Sequence, residues 1–332
     1  MAGRNAEPRA RPGEFELIER LFAPLARGAG GAFGLRDDVA ALAPPFGHEH
    51  VLKTDSLIES VHFRRNDPPA TVGRKALRRA LSDLAAKGAE PSAWLLALAL
   101  PPWPDMAWLE DLALGLAADV AEFGIPLVGG ETNATPGPLT MTITAIGHVP
   151  AGKLILRSGA NLGDGVFVTG TIGDAGAGLS LAAGTAAPDP ARDYLVSRHR
   201  VPAPRLAFGL AIRGIATAAI DVSDGLLADC GHLASRSDVQ IVIDAGRIPL
   251  SEEFRQLKGE HTGARVEAAT AGDDYEIAFT APRSAAHKIA DASRGAGTPV
   301  ARIGTVEAGR GIALKDESGM EIAVERKGYA HF

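Results

Sequence analysis

The sequence predicts an α/β protein with mixed sheets and two domains, on three observations. An apolar run followed by a segment with apolar residues at three- and four-residue spacing, strand then helix, occurs twice before residue 125. Segments of similar α/β character resume after a turn around His148–Gly152. The chain has 332 residues, 46% of them hydrophobic and 22% charged, enough for two ordinary cores. The expected layout is a disordered polar tail over residues 1–12, an N-terminal domain over 13–150 and a C-terminal domain over 151–332.

The totals also exclude. A formal charge of −6 lacks the basic excess that nucleic acid or an anionic membrane would require, so a polyanionic ligand needs local arginines or metal ions. No apolar run approaches the ~20 residues that span a bilayer, and the first residues lack the apolar core of a secretory signal. Cys230 is the only cysteine, which excludes an intramolecular disulfide and a thiolate metal cluster. A cytoplasmic protein is expected, with no nucleic-acid partner and no membrane association.

Taken in order, Phe15, Ile18, Phe22 and Leu25 have helical spacing and predict an amphipathic helix over Gly13–Ala26. The glycines of Gly28–Gly34 stop it, and Asp37-Asp38 follows, a pair more often found in turns or on solvated faces. Val51–Asp55 reads as a strand ending on Thr54 and Asp55, with His62 shortly after; a lone histidine there is more often bland than functional. Thr71–Lys87 is a helix with the stripe Leu77, Leu81, Leu84, closed by Gly88. Asp83 stands on its small-residue shoulder, either open to a ligand or balancing Lys87. Ala93–Leu100 is a strand closed by two prolines, Asp105–Glu122 a helix ended by Gly124, Ile125–Val128 a strand entering Gly129-Gly130-Glu131, and Leu139–Gly147 a half-buried strand.

In the second half, the strand Val166–Thr169 opens into Gly170–Gly178, whose glycine spacing fits neither the dinucleotide fingerprint nor a P-loop and leaves a strand-to-helix turn. Helical segments at Asp193–His199 and Arg205–Arg213, a helix through Cys230 and Leu233, and the strand Gln240–Asp244 follow. The acid cluster Asp273-Asp274-Tyr275-Glu276 leads into apolar Ile277–Phe279, and Val300–Val306, Gly311–Leu314 and Met320–Val324 read as short strands.

The most informative stretch is Ala219–Leu226, an apolar run that ends in Asp221-Val222-Ser223-Asp224-Gly225. It delivers two carboxylates and a hydroxyl to a strand exit, where the next helix offers free backbone N–H groups. Asp38, Asp55, Asp83 and Glu131 are further acids at turns, strand ends or a small-residue shoulder. Were several to converge, their repulsion would raise their pKa values unless cations compensated. Oxygen donors without cysteine favour Mg²⁺, and Mg²⁺ shared between carboxylates and phosphate oxygens is the arrangement of an ATP-using enzyme.

The motifs in order resemble those of the thiamine-monophosphate kinases, within the aminoimidazole ribonucleotide synthetase-like superfamily. The resemblance runs from Gly13-Glu14-Phe15 to Tyr329-Ala330-His331-Phe332. It rests on Asp37-Asp38, Thr54-Asp55-Ser56-Leu57, Val61-His62-Phe63, Leu81-Ser82-Asp83-Leu84-Ala85-Ala86, Gly129-Gly130-Glu131, Arg157-Ser158-Gly159-Ala160, Asp221–Leu226, Asp273–Glu276 and Lys327-Gly328-Tyr329. It implies a two-domain α/β fold whose N-terminal sheets pair into a barrel across a homodimer. It implies that Asp38, Thr54, Asp55, Asp83, Glu131, Asp221 and Asp224 hold several Mg²⁺ ions in a site to which both domains contribute. Gly130, Arg157 and Ser223 would contact ATP, while thiamine monophosphate would lie near His62, Asp273 and Tyr329. Arg36, Lys53, Glu131 and Asp273 stand where the family more commonly has other residues. The implied reaction is in-line transfer of the γ-phosphoryl group of ATP to thiamine monophosphate, giving thiamine diphosphate, with no residue acting as general base. Two alternatives stay open: another ATP-dependent enzyme of the superfamily, resembling aminoimidazole ribonucleotide synthetase, and a nucleotide-binding regulatory protein without catalysis. Superfamily members that need a reactive cysteine near either end fit less well, since Cys230 is internal.

Overall fold

Two sheets of different make-up organise the chain in the computed structural model, which describes residues 11–182, 184 and 189–330. The tail expected over residues 1–12 therefore falls mostly outside the described residues. By contact density the chain forms two units, one of residues 1–80 and 91–148, the other of residues 81–90 and 149–332. Among the described residues no helix is long and apolar enough to cross a membrane.

In the first unit, strands β1 (His48–Ile58), β2 (Glu90–Leu100), β3 (Leu127–Ala134) and β4 (Thr140–Pro150) form a sheet in the order β1-β4-β2-β3, with β2 and β3 parallel. Alternation decides which face is buried: on β4, Met141, Ile143 and Ala145 are fully buried while Thr140, Thr142 and Thr144 between them are not. Helix α2 (Pro69–Ala86) buries Leu77, Leu81 and Leu84, as its spacing predicts. Helix α3 (Met106–Phe123) begins at Asp105, whose carboxylate accepts the Trp108 N–H, and ends at Gly124 in the left-handed conformation.

The helix expected over Gly13–Ala26 is present but changes pitch twice. A single turn, α1 (Glu14–Leu17), passes into a π turn over Ile18–Phe22 and a 3-10 turn over Ala23–Ala26. Leu17 and Leu21 are buried beside the expected Phe22 and Leu25 while Phe15 is exposed, and Pro24, which has no N–H to donate, suits the tightened end.

The second unit carries a six-stranded sheet, β5 (Gly165–Thr169), β6 (Ala218–Asp221), β7 (Gln240–Asp244), β8 (Ile277–Ala281), β9 (Val300–Glu307) and β10 (Gly311–Lys315), in the order β10-β7-β9-β5-β8-β6. β10 and β7 are parallel and the other pairs antiparallel. Both faces are covered, which explains why its strands read as unbroken apolar runs. Val168, Ile220 and Ala278 pack into one core with Leu227, Cys230 and Leu233 of α7 (Leu226–Ser237). Their neighbours Phe167, Ala219 and Phe279 pack into the other with Phe208 of α6 (Leu206–Ala211) and Ile289 of α10 (Ala286–Ala296). Helices α4 (Asp174–Leu181), α5 (Pro190–Arg200), α8 (Glu252–Lys258) and α9 (Thr262–Thr270) complete the unit.

The strand expected over Met320–Val324 reduces to one bridge between Glu321 and Lys315. Asp316 accepts N–H bonds from Ser318 and Met320, so the chain reverses in a side-chain-stabilised turn before pairing can extend.

Candidate active site

In the first unit, a cavity of about 480 Å³ is lined by Asp37, Asp38, Gly129, Gly130 and Glu131, with Phe22 and Leu96 among its apolar walls. Asp38 follows a 3-10 segment over Gly30–Leu35 in which Phe33 and Leu35 have positive φ, and the Ala41 N–H bonded to the Gly31 carbonyl at 2.9 Å ties this loop back. Asp38 and Glu131 are both exposed, so two carboxylates from distant segments open onto one space. Gly130 lies opposite Leu96 in the β2–β3 register, and a Cβ there would meet the Leu96 carbonyl oxygen at 1.9 Å. Sheet pairing alone therefore requires that glycine.

The other predicted residues of this unit do not line the cavity. On β1 the Thr54 hydroxyl bonds to that of Thr144 at 2.9 Å, and the Asp55 carboxylate lies 3.7 Å from Nε of Arg79. His62 accepts the Ile58 N–H on Nδ1 at 3.0 Å while its carbonyl accepts from Lys75 Nζ at 3.3 Å. That bond leaves the proton of a neutral ring on Nε2.

The second unit brings three separate predicted motifs together through the main chain. β6 ends at the buried Asp221, and the next residues keep pairing irregularly with the Asp273–Glu276 segment. The Val222 N–H donates to the Glu276 carbonyl at 2.7 Å, Tyr275 N–H to Val222 at 2.8 Å and Asp273 N–H to Ser223 at 2.8 Å. The Tyr329 N–H donates to the Asp224 carbonyl at 2.8 Å. Ser223, Asp224, Asp273 and Tyr329 are thus fixed to one another, and Tyr329 is 48% exposed.

Asp83 and Arg157 approach the same strand from another side. Lys87, one turn beyond Asp83, donates to the Ala219 carbonyl, its own carbonyl accepts the Ile155 N–H, and the Leu156 carbonyl accepts the Ala219 N–H. Burial lowers the Lys87 ammonium to about 8, the exposed Arg157 adds to this, and Asp221 and Asp83 oppose it. The expectation that Asp83 balances Lys87 is therefore part of a larger group of charges.

Sequence reasoning missed the residues that hold these motifs. Asp229, in the first turn of α7, accepts N–H bonds from Ser223, Asp224 and Gly225; burial pushes its carboxyl up to about 7, Asp224 adds to the rise, and the three donors oppose it. An acid in the turn after a strand-exit loop is the signal that could have found it. Asp273 accepts from the Tyr275 hydroxyl at 2.9 Å and lies 3.5 Å from the buried His199. Asp274 and Glu276 point inward: Asp274 accepts the Gly173 and Ala175 N–H groups at the start of α4, and Glu276 meets Arg198 and Arg205.

Comparison with known proteins places this geometry. Residues 36–149 match the AIR synthase related protein N-terminal domain, and residues 161–317 match the corresponding C-terminal domain. The thiamine-monophosphate kinase of Caulobacter vibrioides is 40% identical over 325 residues, covering 97% of this chain and 92% of the relative. The solved thiamine-monophosphate kinase of Stenotrophomonas maltophilia K279a is 38% identical, with a TM-score of 0.83 over 91% of this chain and 96% of that one. AaThiL, solved in complex with AMPPCP and TMP, is 32% identical, with a TM-score of 0.77 over 96% of this chain and 97% of that one. The chain belongs to the thiamine-monophosphate kinase family, with the two-domain architecture of AIR synthase-related proteins.

Proposed function

We propose that this chain phosphorylates thiamine monophosphate, using ATP, to thiamine diphosphate, by direct in-line transfer. The observation that carries the reading is the joining of Ser223-Asp224, Asp273 and Tyr329 by main-chain hydrogen bonds in a chain 40% identical to a thiamine-monophosphate kinase along almost its whole length. The bound AMPPCP and TMP of AaThiL support the choice of substrates. The acceptor is a phosphate oxygen already ionised at neutral pH, so no general base is needed. The protein's task is to hold two anions in line and compensate their charge.

In this reading Gly130, Arg157 and Ser223 contact ATP, with Arg157 supplying exposed positive charge and Ser223 a hydroxyl. His62, Asp273 and Tyr329 receive thiamine monophosphate, the exposed tyrosine ring covering an aromatic ring of the substrate. Asp38, Thr54, Asp55, Asp83, Glu131, Asp221 and Asp224 would hold Mg²⁺. Their donors are all hard oxygens, and Asp38 and Glu131 open onto one cavity, which fits that ion. Mg²⁺ supplies neutralisation of phosphate charge. We also propose a cytoplasmic homodimer: β1 is an edge strand with Leu52 68% exposed, an edge suited to cover by a second copy.

The test is ADP release with thiamine monophosphate, thiamine and aminoimidazole precursors offered separately. Release with thiamine monophosphate alone is expected, and Asp221→Asn should lower turnover at limiting Mg²⁺ by at least about 100-fold, since even residues that only support metal ligands are worth 10–100-fold. Normal activity of that variant at limiting Mg²⁺, or release with another acceptor only, overturns the reading.

A further inference from the structure

The exit of β6 is a loop whose main chain is used up on every side. Its carbonyls at Ser223 and Asp224 accept from Asp273 and Tyr329 at 2.8 Å each. Its N–H groups at Ser223, Asp224 and Gly225 all converge on one oxygen, Oδ2 of Asp229, at 2.9, 3.0 and 3.2 Å. Three consecutive N–H groups aimed at one point form an anion-binding nest, and here the protein fills it with its own carboxylate. Asp229 is 2% exposed and held on α7, whose Leu226, Leu227 and Cys230 are core residues, so the accepting oxygen is fixed independently of any ligand. Gly225 reaches this geometry at φ +129°, with the Thr270 carbonyl 3.1 Å from where a Cβ would lie.

We infer that Asp229 is a positioning residue, setting the backbone from which Ser223 and Asp224 present their side chains to nucleotide and metal. The inference rests on the proposed roles of Ser223 and Asp224. Asp224, Asp229 and His232 each offer a donor atom within 4.8 Å of the others, which raises the competing possibility that Asp229 is itself a ligand. The three N–H bonds on Oδ2 favour support, because that oxygen's acceptor capacity is already engaged.

Asp229→Asn keeps the shape of the side chain but replaces one carboxyl oxygen with an NH₂ group that cannot accept from the loop's N–H groups. At a temperature where circular dichroism shows the variant folded, Mn²⁺ binding in the presence of a non-hydrolysable ATP analogue is expected to weaken by roughly 10–100-fold. The number of Mn²⁺ ions bound at saturation should stay that of the parent, and KM for ATP should rise. Unchanged Mn²⁺ affinity in the folded variant overturns the inference by leaving Asp229 a purely structural role. Loss of one bound Mn²⁺ at saturation overturns it by making Asp229 a ligand. Should Asp229→Asn not fold, Asp229→Ser, whose shorter hydroxyl cannot hold the three N–H groups together, is judged by the same two readouts. The Mn²⁺ measurements need no acceptor: failure of the kinase reading appears as a parent that releases no ADP with thiamine monophosphate, and failure of this inference as a variant that binds Mn²⁺ like its parent.

Discussion

A carboxylate inside a core needs donors on every side, and Glu276 has them. Fully buried, it accepts from the Thr169 hydroxyl at 2.6 Å, Arg205 Nε at 2.6 Å and Arg198 at 2.8 Å. Burial pushes its carboxyl up, but the Arg205 hydrogen bonds, with the charges of Arg205 and Arg198, outweigh it and hold the group below its ordinary value. Glu276→Gln leaves two guanidinium groups facing a neutral amide and is expected to cost about 3–5 kcal/mol at pH 7. Because the folded pKa lies below the unfolded one, this stability is present above the ordinary carboxylate pKa of about 4.3 and is lost as pH falls through the folded value. Urea unfolding of parent and variant should therefore show a gap that narrows on acidification below pH ~4.3; a gap that widens refutes the assignment. The sequence grouped Asp273–Glu276 as one acid cluster and could not divide its labour. The partners of Asp274 and Glu276 lie at positions 173, 175, 198 and 205, and no local spacing announces them. Asp221, Ser223 and Asp224 were legible because a strand exit is a local pattern.

At the scale of elements, the strands and long helices were readable wherever period and punctuation agreed. Asp105 and Gly124 bracket α3 as caps, and the alternation of β4 matches its burial. Elements failed to match at Ile18–Phe22 and Asp316–Met320, where a change of pitch or a turn intervened. They also failed to match in β1 and β3, which run on to Ile58 and Ala134 so that Asp55 and Glu131 lie within strands and not at their ends, and in α8, α9 and α10, for which no helix was expected. Gly129-Gly130 shows a subtler limit: read as room for a ligand, the second glycine is demanded by the neighbouring strand. A methyl group at Gly130 would have to displace Leu96 or break the β2–β3 ladder there, so Gly130→Ala is expected to destabilise by about 1–3 kcal/mol or more. The check is its urea midpoint against the parent's. A variant equally stable but deficient in nucleotide binding would show that the ligand, not the sheet, keeps the position small.

Across the whole molecule, the question is whether two units behave as one in folding, and the chain carries probes for it. Its three tryptophans, Trp94, Trp103 and Trp108, all belong to the first unit, and its only cysteine, Cys230, to the second. Helix α2 runs from one into the other. Leu77 and Ala80 are buried in the first, and Ala85 and Ala86 belong to a core of the second with Phe208 and Phe279. Melting either unit strips the packing from part of a helix whose hydrogen bonds form cooperatively, which raises the cost of unfolding one unit alone. Cys230 has no exposed surface, and burial pushes its thiol well above the usual range. In native protein its alkylation at pH 8 should be at least about 1,000-fold slower than that of a free thiol, following the equilibrium population of the open form. As urea is added, the midpoint for Cys230 labelling should coincide with that for tryptophan fluorescence. Two separated midpoints would show that α2 divides at the boundary between the units, each unit folding on its own core.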